Sequence, residues 1–217
     1  MPNWVTNRIA FDNAEQYKLF KEKFMDSNGE LDFNKIIPMP DIVSYADRMC
    51  DSIFDEERTN ALAEEFKNCK NHKRDNDYYK RKEEIEKGYV CSLAIKESGK
   101  DPYHWKCANW GVKWGASEAS WSDNGCMVDF DTPWGVPDPI YNKLAEMGFE
   151  FEMLAIDESN DWAVEGQSIK WEDNDKPQFS YSPEDPVQVH RQIFGEGFED
   201  YEEEDWEETE DEEDEND

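Results

Sequence analysis

Apolar residues near the start of the chain fall at Val5, Ile9 and Phe11, a period of two interrupted by Asn7, and predict a strand. Asn13-Ala14-Glu15-Gln16 has the form of a capping box, with Gln16 placed to reach back to the Asn13 backbone N–H. Tyr17, Phe20 and Phe24 follow at helical spacing, and Asn28-Gly29 closes that helix. Leu31 to Ile37 forms a second short apolar segment, read as a strand. It is stopped by Pro38-Met39-Pro40, where two fixed φ angles force an extended turn. From 41 to 100 the pattern changes. Leu62, Phe66 and Cys69, then Tyr78, Lys82 and Ile85, predict two or three helices with polar outer faces, the last stopping at Gly88.

Aromatic residues crowd the next stretch. Trp110, Val112 and Trp114 alternate with Gly111 and Lys113, predicting a strand with two indoles on one face. Cys126, Val128 and Phe130 alternate in a partner strand, joined through the turn residues Asp123-Asn124-Gly125. Asp138-Pro139 opens a helix carrying Ile140, Leu144 and Met147 and ending at Gly148. Phe149, Phe151 and Met153 predict a strand, and Trp162–Glu165 with Gln167–Trp171 a weaker pair turning at Gly166. A last short helix runs from Asp185-Pro186 to Phe194.

The order β-α-β, helical insertion, β-β-α-β predicts an α+β domain, helices covering one face of an antiparallel sheet. Its expected extent is 1–173 with the insertion at 41–100, followed by a polar linker and short helix at 174–195. The last segment, 196–217, is of another kind. Sixteen of its 22 residues are Asp or Glu and none is Lys or Arg. Such a run repels itself and lacks apolar surface to offset its ordering entropy, which predicts a disordered tail. The whole chain has 54 acids against 23 bases, a net charge of −31; without the tail's acids the body still carries −15. This field disfavours direct binding to nucleic acid or an anionic membrane and favours basic protein surfaces. Scarce Leu, Ile and Val are offset by 9 Trp, 9 Tyr and 12 Phe, enough aromatic area for a core. No apolar run is long enough to span a bilayer, and Met1-Pro2-Asn3-Trp4 lacks a signal-peptide pattern. Five scattered cysteines without a CxxC pair are expected to be cytoplasmic thiols.

Four ordered motifs are Met1-Pro2-Asn3-Trp4 with Thr6-Asn7-Arg8, Phe33 to Pro40, Asn109 to Trp114, and Phe130 to Trp134 with Pro137. Together, over roughly residues 1–166, they resemble the ferredoxin-like domain family of phage and conjugative-plasmid proteins typified by YubB. The resemblance implies a ferredoxin-like sandwich and an origin on a mobile element. It implies no reaction and no cofactor. The acidic tail and the charge-rich helical segment depart from the family pattern.

Candidate chemistry is sparse. Cys69 and His72 have the spacing of half a zinc site but lack a second pair, and the tail has no calcium-loop pattern, so no metal or cofactor is expected. Asp101, His104 and Cys107 form the one possible nucleophile set. Lys70–Lys87, with seven bases and five acids, reads as a solvated helix face laced with charge pairs, or alternatively as a dock for acid. Trp4, Trp110, Trp114 and Trp134 are expected to be core indoles; the alternative makes Trp110 and Trp114 a ligand platform. In the tail, Phe198, Tyr201 and Trp206 punctuate the acids Glu202, Glu203, Glu204, Asp205, Glu207 and Glu208, a mixture suited to docking on a basic, partly apolar partner. The leading expectation is therefore a non-enzymatic acidic protein that binds a basic, nucleic-acid-binding host protein in place of DNA and so counters host defence. A small-ligand or peptide binder using the Trp-rich sheet, and a hydrolase-like enzyme around Asp101, His104 and Cys107, remain the alternatives.

Overall fold

The computed structural model describes residues 3–49, 56–68, 76–169 and 178–195. Six strands form one antiparallel sheet: β1 (Trp4–Ala10), β2 (Ser117–Ser122), β3 (Met127–Pro133), β4 (Glu152–Asp157), β5 (Ala163–Ile169) and β6 (Gln178–Glu184). Their order across the sheet is β2-β3-β1-β4-β5-β6. The alternation in β1 divides its residues as expected. Val5, Asn7 and Ile9 are buried, opposite buried Val128, Phe130 and Thr132 of β3.

Over this first face lie α1 (Ala14–Phe24) and α7 (Asp138–Glu146), burying Tyr17, Phe20 and Phe24 from one and Ile140, Tyr141 and Leu144 from the other. Asn13 caps α1 by accepting from the N–H groups of Glu15 and Gln16. The reciprocal half of the capping box is not made, because Gln16 instead accepts the Glu150 N–H at 2.8 Å. The helix ends at Phe24, before Asn28-Gly29, and an isolated bridge between Met25 and Leu31 closes the loop that follows.

A buried polar chain crosses the layer between α7 and the sheet. Tyr141 donates its hydroxyl to Asn7 Oδ1, Asn7 Nδ2 donates to Thr132 Oγ1, and Thr132 donates to the Gly135 carbonyl. Asn7 interrupts the apolar alternation of β1 because it is the hub of this network.

Leu31–Ile37 is not a strand. Asp32 caps a single turn, α2 (Phe33–Ile36), which turns Phe33 and Ile36 into the core. The insertion follows as α3 (Asp41–Met49), α4 (Glu56–Asn68), α5 (Asn76–Ser98) and α6 (Pro102–Asn109). Gly88 does not stop α5. It lies mid-helix, where a Cβ would stand 2.5 Å from Leu62 Cβ, so its role is to let α4 approach α5 closely. The helix-face reading of the basic stretch holds for its described residues: Arg81 pairs with Glu65, Lys82 with Glu86 and Lys87 with Glu83.

β6 occupies residues expected to be linker, because its backbone completes the ladder along β5. Likewise β5 runs straight through Gly166 instead of turning there. That glycine clears Tyr181 Cβ, which would lie 2.6 Å from an added Cβ. One helix also departs from the one-faced arrangement. α8 (Pro186–Phe194), capped by Asp185, packs Val189 and Ile193 against Leu154, Ile156 and Ala163 on the second face. Cys91, Cys107 and Cys126 are free thiols. Among the described residues no helix is long and apolar enough to cross a membrane.

Candidate binding site at the end of the sheet

Residues 110–114 do not form a strand. The chain leaves α6 at Trp110 and turns through Gly111, whose φ of +85° and close approach to Pro139 Cδ (2.8 Å from an added Cβ) leave no room for a side chain. The predicted two-indole face is therefore split. Trp110 is 7% exposed, donates its indole N–H to the Ile37 carbonyl at 3.0 Å and sits edge-on to Phe33 and Trp105, a core residue. Trp114 is 45% exposed and Trp134 is 60% exposed, which overturns the expectation that both are core indoles. As a ligand platform the pair Trp110 and Trp114 fails as well, since the first faces the interior.

The exposed indoles belong to a different group. Trp4 starts β1, opposite Pro133, and its ring lies 6.0 Å from that of Trp114. Trp134 follows the last residue of β3 and is pinned by donating its backbone N–H to the Asn3 carbonyl at 2.8 Å. Its φ is +71°, a conformation that costs a bulky L-residue on the order of 1 kcal/mol or more. Lys113 joins the two exposed rings, with its ammonium 3.9 Å from the centroid of Trp114 and 5.5 Å from that of Trp134.

Carboxylates surround this end of the sheet. Glu158 donates its backbone N–H to the Trp4 carbonyl, and Asp131 lies opposite Thr6, accepting its hydroxyl at 2.9 Å. Partial burial pushes the Asp131 carboxyl above the usual range, opposed by the Thr6 bond and reinforced by the charges of Glu118, Asp129 and Glu158. Glu118 sits at an irregularity in β2 with φ +55°. Like charges are thus held close together, and among the described residues no cation pairs with Asp131.

Asp129 is treated differently. Arg8 grips both of its oxygens at 2.6 and 2.7 Å and also donates to the Gln192 and Ile193 carbonyls at the end of α8. This anchors the end of α8 to the second face of β1, four residues from Trp4, about 13 Å along the strand. The acidic segment 196–217 continues from there. Its predicted docking residues, Phe198, Tyr201, Glu202, Glu203, Glu204, Asp205, Trp206, Glu207 and Glu208, lie outside the described residues. So do Cys69 and His72.

The Asp101–His104–Cys107 set is only partly assembled. Asp101 caps α6, accepting from the His104 backbone N–H and pairing with its ring Nδ1. Cys107 lies one turn along α6 from Tyr103, whose phenol is pushed up chiefly by the charge of that neighbour. Helix capping accounts for the Asp–His contact. Among the described residues no group of His, Cys, Asp and Glu is arranged to hold a metal.

Clefts of about 350, 400 and 450 Å³ open beside Gln16 and Glu150, beside Glu165 and Tyr181, and beside Tyr17 and Lys21. None of the three includes Trp4, Trp114 or Trp134. The indole group offers exposed aromatic faces, a platform that suits another macromolecule's side chains. No family model, no curated protein and no solved structure matches this chain.

The sequence signal for the site was the glycine after each of these residues: Trp110-Gly111, Trp114-Gly115 and Trp134-Gly135. Glycine in that position marks turns rather than strand interiors. Lys113, Trp134 and Glu158 lie between regular elements, where periodicity gives no signal, while Glu118 in β2 and Asp131 in β3 occupy polar strand positions that alternation marks only as outward-facing.

Proposed function

We propose that this protein is an acidic docking module that binds a basic protein surface through the exposed tryptophans and carboxylates at one end of its sheet. The observation that carries the reading is the cluster itself: solvent-exposed indoles beside unneutralised carboxylates, in a chain of net charge −31. Indole faces attract cations, carboxylates pair with them, and the excess negative charge accelerates encounter. The acidic segment 196–217 contributes 16 carboxylates to this excess charge. In the specific form proposed here the partner is a nucleic-acid-binding protein, and carboxylates occupy the surface it offers to phosphates. No reaction is part of this function.

The fold is read further as a ferredoxin-like unit. Its support is the segment β1-α1-β2-β3-α7-β4, whose strands lie in the order β4-β1-β3-β2, all antiparallel. Three of the four motifs that resemble the YubB-type family contribute Trp4, Trp114 and Trp134 to the cluster, which keeps a mobile-element origin part of the proposal.

The test is capture from a lysate on immobilised protein at low salt, followed by elution with duplex DNA. Basic nucleic-acid-binding proteins should be retained, released by DNA and released by 1 M salt, where screening shortens to about 3 Å. Retention that neither DNA nor salt reverses contradicts the reading.

A further inference from the structure

The position of Lys113 identifies what the platform takes. In a chain with 54 acids and 23 bases, its ammonium pairs with no carboxylate among the described residues. It lies instead against the rings of Trp114 and Trp134. A cation seated on two half-exposed indoles is the geometry of cation–π recognition, supplied here from within the chain. Trp134 is held at this place in a left-handed conformation while 60% of its surface faces solvent. Neither the strain nor the exposure contributes to stability, so both are spent on presenting the ring.

We propose that Trp114 and Trp134 form a socket for an arginine side chain of the basic partner, and that Lys113 is a displaceable plug occupying it in the free protein. The inference rests on the function proposed above and specifies its contact. Arginine fits better than a second lysine. Its guanidinium is planar and weakly hydrated, stacks on an indole face, and keeps its N–H donors in the ring plane for carboxylates at the edge of the platform. Asp131, Glu118 and Glu158 stand at that end of the sheet, and the charge on Asp131 is disfavoured first by its partial burial and then by crowding from Glu118, Asp129 and Glu158. Arrival of a guanidinium relieves that crowding. Lys113 then swings to solvent, a low-cost step for an ammonium on a flexible stem.

The experiment measures equilibrium affinity of the full chain for a short arginine-rich peptide and for its lysine and citrulline counterparts. The arginine peptide should bind about tenfold more tightly than the lysine peptide, and the citrulline peptide should not bind measurably. Lys113→Met empties the socket and should tighten arginine binding about threefold, although it leaves the rings and carboxylates in place. Trp134→Gly, which relaxes the backbone, and Trp114→Ala should each weaken it about tenfold while the far-UV circular dichroism stays that of wild type. Two independent ring variants keep the test valid if one fails to fold. Equal binding of arginine and lysine peptides with unchanged affinity in the ring variants overturns the socket but leaves salt-dependent docking intact. No binding of any basic peptide at low salt overturns the docking function and the socket together.

Discussion

Three tryptophans that share one sequence context should respond to truncation in different ways. Trp110 is 7% exposed, holds the Ile37 carbonyl at 3.0 Å and packs edge-on at 6.1 Å from Phe33 and 5.8 Å from Trp105. Trp110→Ala removes a full indole from a packed core and leaves the partly buried Ile37 carbonyl without its donor, a loss of about 3–5 kcal/mol. For a chain of 217 residues this lowers the melting temperature by roughly 6–20 °C. Trp114→Ala removes a half-exposed ring whose main contacts are Trp4 and Lys113, worth about 1–2 kcal/mol. At Trp134 two effects oppose each other. Glycine relieves the φ of +71°, worth about 1–2 kcal/mol, and forfeits contacts of a ring that is 60% exposed. Trp134→Gly should therefore fall within about 1 kcal/mol of wild type. Urea unfolding followed by far-UV circular dichroism ranks the three without relying on indole fluorescence. A Trp134→Gly or Trp114→Ala variant as unstable as Trp110→Ala would refute the division into core and platform.

Asp131→Asn should stabilise the protein at neutral pH. The folded carboxyl titrates above its unfolded value of about 4, so in that window folding takes up a proton and stability falls as pH rises. The asparagine variant's advantage, read from melts at several pH values, should disappear below the unfolded value; a destabilised variant at pH 7 would contradict the cost assigned to burying and crowding this carboxylate. The same change should weaken binding of a basic peptide, trading function for stability. Asn7→Ala strands the Tyr141 hydroxyl in the core and removes the amide that donates to Thr132 Oγ1, which keeps its own bond to the Gly135 carbonyl; the change should cost about 2–4 kcal/mol, part of which Asn7→Ala with Tyr141→Phe recovers. In the acidic segment, hydrogen exchange should reveal no protection over residues 196–217 of the free protein. Deleting the segment should slow association with a basic partner and flatten its salt dependence, both measurable by stopped flow.

Much of the fold was legible because periodicity reports burial. β1, α1, β3 and α7 are recovered from Val5, Ile9, Tyr17, Phe20, Val128, Phe130, Ile140 and Leu144, residues that each face the core. The errors occur where a local signal had two physical causes. Gly88 and Gly166 looked like punctuation, but each is small to admit a neighbouring element, Leu62 in one case and Tyr181 in the other. β6 was invisible because its burial is slight and its partner β5 supplies the reason it is extended. Leu31–Ile37 has apolar residues for a strand, but Asp32 is positioned to cap a turn. The site was the least legible part. Alternating Trp110 and Trp114 satisfied a strand pattern, while the glycines after them were bending the chain so that one ring entered the core and the other left it.

Docking at the end of the sheet can be read from the indole N–H signals of the protein during titration with an arginine-rich peptide. The nine tryptophans supply probes in the core, on the platform and in the tail. The resonances of Trp4, Trp114 and Trp134 should shift together and saturate, while those of Trp105 and Trp110 stay in place. Shifts confined to Trp206, or no shift at Trp114 and Trp134 at a peptide concentration that saturates binding, would contradict docking there.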